Sequence, residues 1–199
     1  MPTRVDHEQR RREIAAAVWR IAAERGLESV SMREVAAEAG VSLRLVQYYF
    51  ETKHNLLVLS LRYLHERGEQ RAQARVAAQA DQSARGIART LLTELLPLDP
   101  ERELSLRVHR AYFSRTHSDP ALAKLFVGAG TPVEDLLTSL LRRAVLPAGT
   151  HPRHEANLLV AGLTGLGLDV LHGRFNPAEV LAALDYHLNR LFGPGPAQA

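Results

Sequence analysis

Apolar residues recur three and four positions apart along nearly the whole chain, and no stretch shows the strict apolar–polar alternation of a half-buried strand. An all-α fold follows, because each such stripe covers one side of a helix and has to be buried against another. From Asp6 to Arg25 the stripe is Ile14, Val18, Ile21 and Ala22, and Gly26 stands where a helix end is commonly capped. Ser31 precedes a short helix, Met32 to Ala39, with Glu34 three residues on in the spacing of a capping box, and Gly40 stops it. Ser42 caps a third helix, Leu43 to Phe50, and a long fourth helix runs from near Lys53 to about Ala78.

Further helices are expected at Ser83–Leu96, Pro100–Thr116, Pro120–Val127, Pro132–Leu146, Arg153–His172 and Pro177–Phe192. Proline repeatedly sits in their first turns, where its missing amide hydrogen costs nothing. The expectation is about nine helices, divided into an N-terminal three-helix head, residues 1–52, and a larger helical body, residues 53–199. The tail from Gly193 to Ala199, rich in glycine, proline and alanine, is expected to fray.

Composition narrows the function classes. No apolar run approaches the roughly eighteen residues needed to cross a bilayer, and charged Met1–Arg12 lacks the apolar core of a secretory signal, so a cytoplasmic protein is expected. The absence of cysteine excludes disulfides and thiolate metal sites. A formal net charge of +3 permits a nucleic-acid partner without demanding one, so the placement of charge has to decide. Enzyme marks are missing: there is no Gly-x-Ser-x-Gly, no Gly-Lys-Ser/Thr phosphate loop and no His-Glu-x-x-His. His151 and His154 flank Pro152 without an obvious third ligand and read as surface residues. No cofactor is expected.

Ser31 to Lys53, SMREVAAEAGVSLRLVQYYFETK, is the informative stretch. Two short capped helices joined by Ala39-Gly40-Val41-Ser42 have the length and turn chemistry of a helix-turn-helix, whose second helix enters a DNA major groove. Ala36 and Ala37 allow close approach, and Val35, Val41 and Val46 would lock the crossing. Arg44 and Gln47, three apart on the third helix, carry donors suited to guanine and adenine edges. Leu43 and Leu45 flank Arg44, one placed to touch a thymine methyl group and the other to pack inward. The basic run Arg10–Arg12 reads as a solvated face, with a place along the DNA backbone or in a minor groove as the alternatives.

Ser31, Arg33, Glu34, Val35, Ala36, Ala39, Gly40, Val41, Ser42, Tyr49, Phe50 and Lys53, continued by Leu56 and Leu57, resemble the N-terminal signature of TetR-type regulators. The resemblance implies a homodimer on a double-stranded palindromic operator, working most often as a repressor released by a small-molecule effector. It gives Lys53 a DNA phosphate, which the positive end of the fourth helix would reinforce. Tyr48 and Tyr49 would donate phenols to phosphates, with packing into the head as the alternative for Tyr49, Arg33 would reach a base or a phosphate, and Ser42 would serve as cap and phosphate contact. Many members carry a glycine or small polar residue near position 44 and a tyrosine at 47, so Arg44 and Gln47 imply a different operator.

The resemblance also implies an effector pocket in the body, for which His109, Tyr112, Phe113, Phe126 and Trp19 are the candidate lining residues, with satisfied core residues as the alternative. The last two helices would pair with their copies in a partner. Leu159, Gly162, Leu163 and Leu166 would face Val180, Leu184 and Leu188 across that interface, because helix glycines cost up to about 1 kcal/mol each and close helix approach would offset this; a tightly packed monomer core is the alternative. A helical protein-interaction module or an all-α enzyme without DNA binding are the competing readings.

Overall fold

The computed structural model describes residues 4–127 and 132–193. The tail from residue 194 onward therefore lies outside the described residues. Ten α-helices stand among them: α1 (Arg4–Arg25), α2 (Met32–Glu38), α3 (Leu43–Phe50), α4 (Lys53–Ala78), α5 (Ala84–Thr93), α6 (Pro100–Phe113), α7 (Pro120–Val127), α8 (Pro132–Arg142), α9 (Pro152–Leu171) and α10 (Pro177–Phe192). A short 3-10 turn, Leu27–Ser29, follows α1. Each of the ten stretches read from the sequence, the short Pro120–Val127 included, forms a helix, one more than the round figure of nine.

Local chemistry sets the ends. α6 to α10 each begin on proline, whose fixed φ suits a first turn. Asn176 closes a full capping box on α10: its side chain accepts from the Glu179 amide at 3.0 Å, and Glu179 accepts from the Asn176 amide at 2.8 Å. The box expected at Ser31 is only half formed. Ser31 Oγ accepts from the Glu34 amide at 3.1 Å, but the Glu34 carboxylate turns to Arg25 at 3.0 Å.

The chain falls into two compact units, Met1–Gly68 with Arg107–Gly128, and Glu69–Leu106 with Ala129–Ala199. The first extends beyond the 1–52 head read from motifs because Leu56, Leu57, Leu61 and Leu64 of α4 are buried. Val108 and Tyr112 of α6 and Leu122 of α7 are buried in the same unit, as are Ile14, Val18 and Ile21 of α1. In the second unit α5, α8, α9 and α10 pack around Leu92, Leu137, Leu141, Leu163, Leu184 and Leu188. A charged cluster lies beside this core: the buried Glu94 carboxylate takes Arg71 at 2.6 Å and Arg75 at 3.1 Å, and Asp99 takes Arg75 at 2.7 Å and Arg102 at 2.9 Å. No described helix is long and apolar enough to cross a membrane.

Candidate nucleic-acid interface

The turn between α2 and α3 is held by backbone geometry that its sequence demands. Gly40 has φ +64, a left-handed conformation in which a side chain is disfavoured, and a Cβ there would meet nothing within 4 Å. Glycine is therefore needed for its backbone and not for space. The Val41 amide donates to the Ala36 carbonyl at 2.9 Å, and Ser42 Oγ accepts from the Leu45 amide at 3.2 Å, so α3 starts where Ser42 stops the turn. Val35, Ala36, Val46 and Phe50 are buried, which fixes the roll of α3 about its axis.

That roll leaves Arg44, Gln47 and Tyr48 exposed, with Tyr48 at 68%. Arg33 of α2 and Ser42 are exposed too, while Leu43, Leu45, Tyr49 and Lys53 are half-buried. Leu43 and Leu45 thus share the shielding, where the sequence predicts one outward and one inward. After α3 the chain reverses at Glu51, whose φ of 61 and ψ of −56 lie in a region non-glycine residues avoid. The Thr52 amide donates back to the Phe50 carbonyl at 2.6 Å, and Thr52 Oγ1 accepts from the Asn55 amide at 3.1 Å, placing Lys53 in the first turn of α4. Its ammonium adds to the partial positive charge of that helix end.

The Tyr49 hydroxyl meets His7 Nδ1 of α1 at 2.8 Å, and its ring stands edge-on to Tyr48 at 5.1 Å. His7 carried no sequence signal, since it lies on another helix in the charged lead-in. Within the run Arg10–Arg12, Arg10 meets Glu13 at 2.7 Å and Arg12 meets Glu66 at 3.1 Å, while the Arg11 pair with Glu8 is long, at 3.6 Å.

The five candidates for an effector pocket separate. Trp19 and Tyr112 are core residues: the Trp19 indole donates to the Ser60 carbonyl at 2.9 Å, and the fully buried Tyr112 hydroxyl donates to the Leu57 carbonyl at 3.1 Å. His109, Phe113 and Phe126 do come together, with His109 and Phe126 at 4.4 Å and Phe113 and Phe126 at 6.1 Å between ring centres. Two residues that sequence reasoning missed complete the cluster, His65 at 5.7 Å from His109 and His117 at 6.3 Å from Phe113. Burial, with the neighbouring His65 ring adding to it, pushes the His109 imidazole down to about 4, and burial lowers His65 as well. Both rings are neutral at pH 7 and offer one donor and one acceptor each.

The interface residues expected on the last two helices need correction. Leu159, Leu163, Val180, Leu184 and Leu188 are buried in the protomer's own core, and Leu166 is half-buried against it. Of the seven, only Gly162 lies on the exposed face. That face carries Leu158 at 68% exposure, Ala161, Gly162 and Gly165 on α9, and Ala182, Ala183 and Tyr186, at 67%, on α10. A Cβ on Gly162 or Gly165 would meet nothing within the protomer, whereas one on Gly167 would stand 2.9 Å from the Leu95 carbonyl oxygen. The three glycines therefore differ in purpose: Gly167 lets α9 approach its own protomer, and the other two leave the outer face flat. The rings of His151 and His154 stack at 4.1 Å, and no group of three metal-ligating residues occurs among the described residues.

A capped helix pair presenting donors on an outward α3, ahead of a helical body, defines a helix-turn-helix DNA-binding regulator. Residues 14–59 match the family described as bacterial regulatory proteins of the tetR family, and residues 84–193 match the C-terminal domain of BetI-type transcriptional repressors. The HTH-type transcriptional regulator PksA of Bacillus subtilis is 30% identical over 186 residues, 90% of this chain and 86% of that protein. BetI of Serratia proteamaculans is 25% identical over 194 residues, 94% and 95% of the two chains. Among solved structures, a transcriptional regulator from Rhodococcus sp. Rha1 superimposes with a TM-score of 0.79 at 29% identity, covering 94% of this chain and 99% of that one. The chain belongs to the TetR family of transcriptional regulators.

Proposed function

We propose that this regulator represses transcription in the cytoplasm by binding an inverted-repeat operator as a homodimer, and that a small organic effector releases it. The observation that carries this reading is the outward placement of Arg44 and Gln47 on α3, whose opposite side is locked by Val46 and Phe50. An arginine fork suits guanine O6 and N7, and a glutamine amide suits adenine N6 and N7. Lys53, Tyr48, Tyr49, Arg33 and Ser42 hold the flanking phosphates, which set register without reading sequence.

Two readers on one operator require two heads, and the exposed Leu158–Gly162–Gly165 face of α9 with Ala182, Ala183 and Tyr186 of α10 is the surface we assign to the second copy. Small residues flanked by two large apolar ones let partner helices come close and bury side chains that a lone protomer leaves in water. The cluster of His65, His109, Phe113 and Phe126 supports an effector of mixed apolar and hydrogen-bonding character. Such an effector has to favour the released arrangement of the heads by a few kcal/mol to shift operator occupancy. Catalysis plays no part in this reading.

The test is a titration against DNA from beside the chain's own gene at two salt concentrations. A regulator of this kind binds an inverted repeat and loses affinity steeply as salt rises, because phosphate contacts release counterions. Absent or salt-insensitive binding favours a protein-interaction module.

A further inference from the structure

α1 and α3 enclose an open cleft of about 740 Å³ lined by His7, Glu8, Arg11, Tyr48 and Tyr49. All of its lining residues but Glu8 carry hydrogen-bond donors. The Arg11 side chain is 42% exposed and its guanidinium carbon stands 5.7 Å from the Tyr49 ring centre. Arg11 Nε is nevertheless buried without a hydrogen-bond partner among the described residues, and the Arg11–Glu8 ion pair is long, at 3.6 Å. A guanidinium whose ion pair is this long can take an anion through its terminal nitrogens. Glu8 is the one carboxylate among these lining residues, and it has other company: Arg12 at 3.4 Å and the Tyr63 hydroxyl at 3.3 Å. An anion that takes Arg11 therefore does not strand Glu8.

We propose that this cleft seats a backbone phosphodiester of duplex DNA, with Arg11 as its charged ligand, the Tyr48 and Tyr49 phenols as donors, and His7 as the residue that positions Tyr49. The proposal rests on the DNA-binding reading above and adds α1 to the interface. Its geometry follows from continuity, since Tyr48 and Tyr49 come directly after Gln47 on the reading helix. His7 acts through its tautomer. With the proton on Nδ1, the imidazole donates to the phenol oxygen and leaves the Tyr49 O–H free for a phosphate oxygen. With Nδ1 bare, it accepts that proton and the phenol has none to give. Arg11 thus supplies affinity and His7 supplies aim.

The experiment uses the full chain and a labelled duplex of about 30 base pairs from beside its gene, long enough for two half-sites one helical turn apart. Affinity is followed over a series of salt concentrations for the wild type, Arg11→Gln, Arg11→Lys and Glu8→Gln. Removing one phosphate partner per protomer flattens the dependence of log K on log salt by about 0.9, or about 1.8 for a dimer. Arg11→Gln shows that flattening, Arg11→Lys keeps the wild-type slope, and Glu8→Gln binds several-fold more tightly because a competing carboxylate is gone. Misfolding cannot produce the last result. A second set tests His7: His7→Phe weakens binding with Tyr49 present and has no further effect in Tyr49→Phe, whereas damage to α1 would persist in both. Salt-dependent wild-type binding with unchanged slope in Arg11→Gln and unchanged affinity in Glu8→Gln overturns the phosphate seat alone. No salt-dependent binding by the wild type overturns the seat and the DNA-binding reading together.

Discussion

The hydroxyl of Tyr112 on α6 donates to the backbone carbonyl of Leu57 on α4 at 3.1 Å, with both residues buried in the unit that carries the helix-turn-helix. This hydrogen bond ties the end of α6 to the helix that begins with Lys53. Replacing Tyr112 by phenylalanine keeps the packing and removes one buried hydrogen bond, which costs roughly 1 kcal/mol. Urea unfolding measures this as a lower midpoint at unchanged slope, with DNA affinity little altered because no α3 residue has moved.

Glu51 supplies a second stability test. Its φ of 61 is one that L-residues adopt at a cost, and it is the only non-glycine residue with positive φ among those described. Glu51→Gly relieves the strain and Glu51→Ala keeps it. The glycine variant is therefore expected to be the more stable of the two by about 1 kcal/mol, despite the greater freedom of its unfolded chain. A difference of the opposite sign in thermal unfolding would contradict the strain.

Stability should also fall with acidity in a way that His109 carries. Its imidazole sits at about 4 in the folded protein and near the ordinary histidine value when unfolded. The unfolded chain takes up the proton first, so this contribution is fully present above the unfolded value and is lost as pH falls from about 6.5 toward 4, up to roughly 3 kcal/mol. His65 works in the same direction. Unfolding of wild type and His109→Leu at pH 7 and pH 5 isolates this contribution: the difference between the proteins shifts toward the variant at the lower pH.

The two sides of α9 make opposite predictions. Leu158→Arg places a charge on the exposed face and should convert the proposed dimer to a monomer in equilibrium sedimentation while leaving the protomer folded. Leu159→Ala empties space in the core and should lower stability by about 2–5 kcal/mol.

Those neighbouring leucines also mark where sequence stops being legible. α3 is readable except at Leu43 and Leu45, because Ser42 and Gly40 mark their roles chemically and Val46 and Phe50 set the inward side. Arg44 and Gln47 then have to face outward. α9 carries Leu158, Leu159, Val160, Leu163, Leu166 and Leu168, which wrap the helix on most sides. One residue turns about 100° around a helix axis, so an all-round apolar pattern cannot tell a protomer's own core from a partner-facing side. His7 and His65 are illegible for another reason. Their partners, Tyr49 and His109, lie on other helices dozens of positions away, and only the packed fold brings them together.

In the proposed complex Arg44 and Gln47 read bases while the residues around them hold phosphates. The most direct measurement is the ratio of affinities for the operator and for an unrelated duplex at one salt concentration, in wild type, in Arg44→Ala with Gln47→Ala, and in Lys53→Ala. The account predicts that the double variant loses discrimination, at about 1–3 kcal/mol for each bidentate contact, while retaining its binding to the unrelated duplex. Lys53→Ala should weaken both duplexes alike and leave the ratio intact. An undiminished ratio in the double variant would contradict the account.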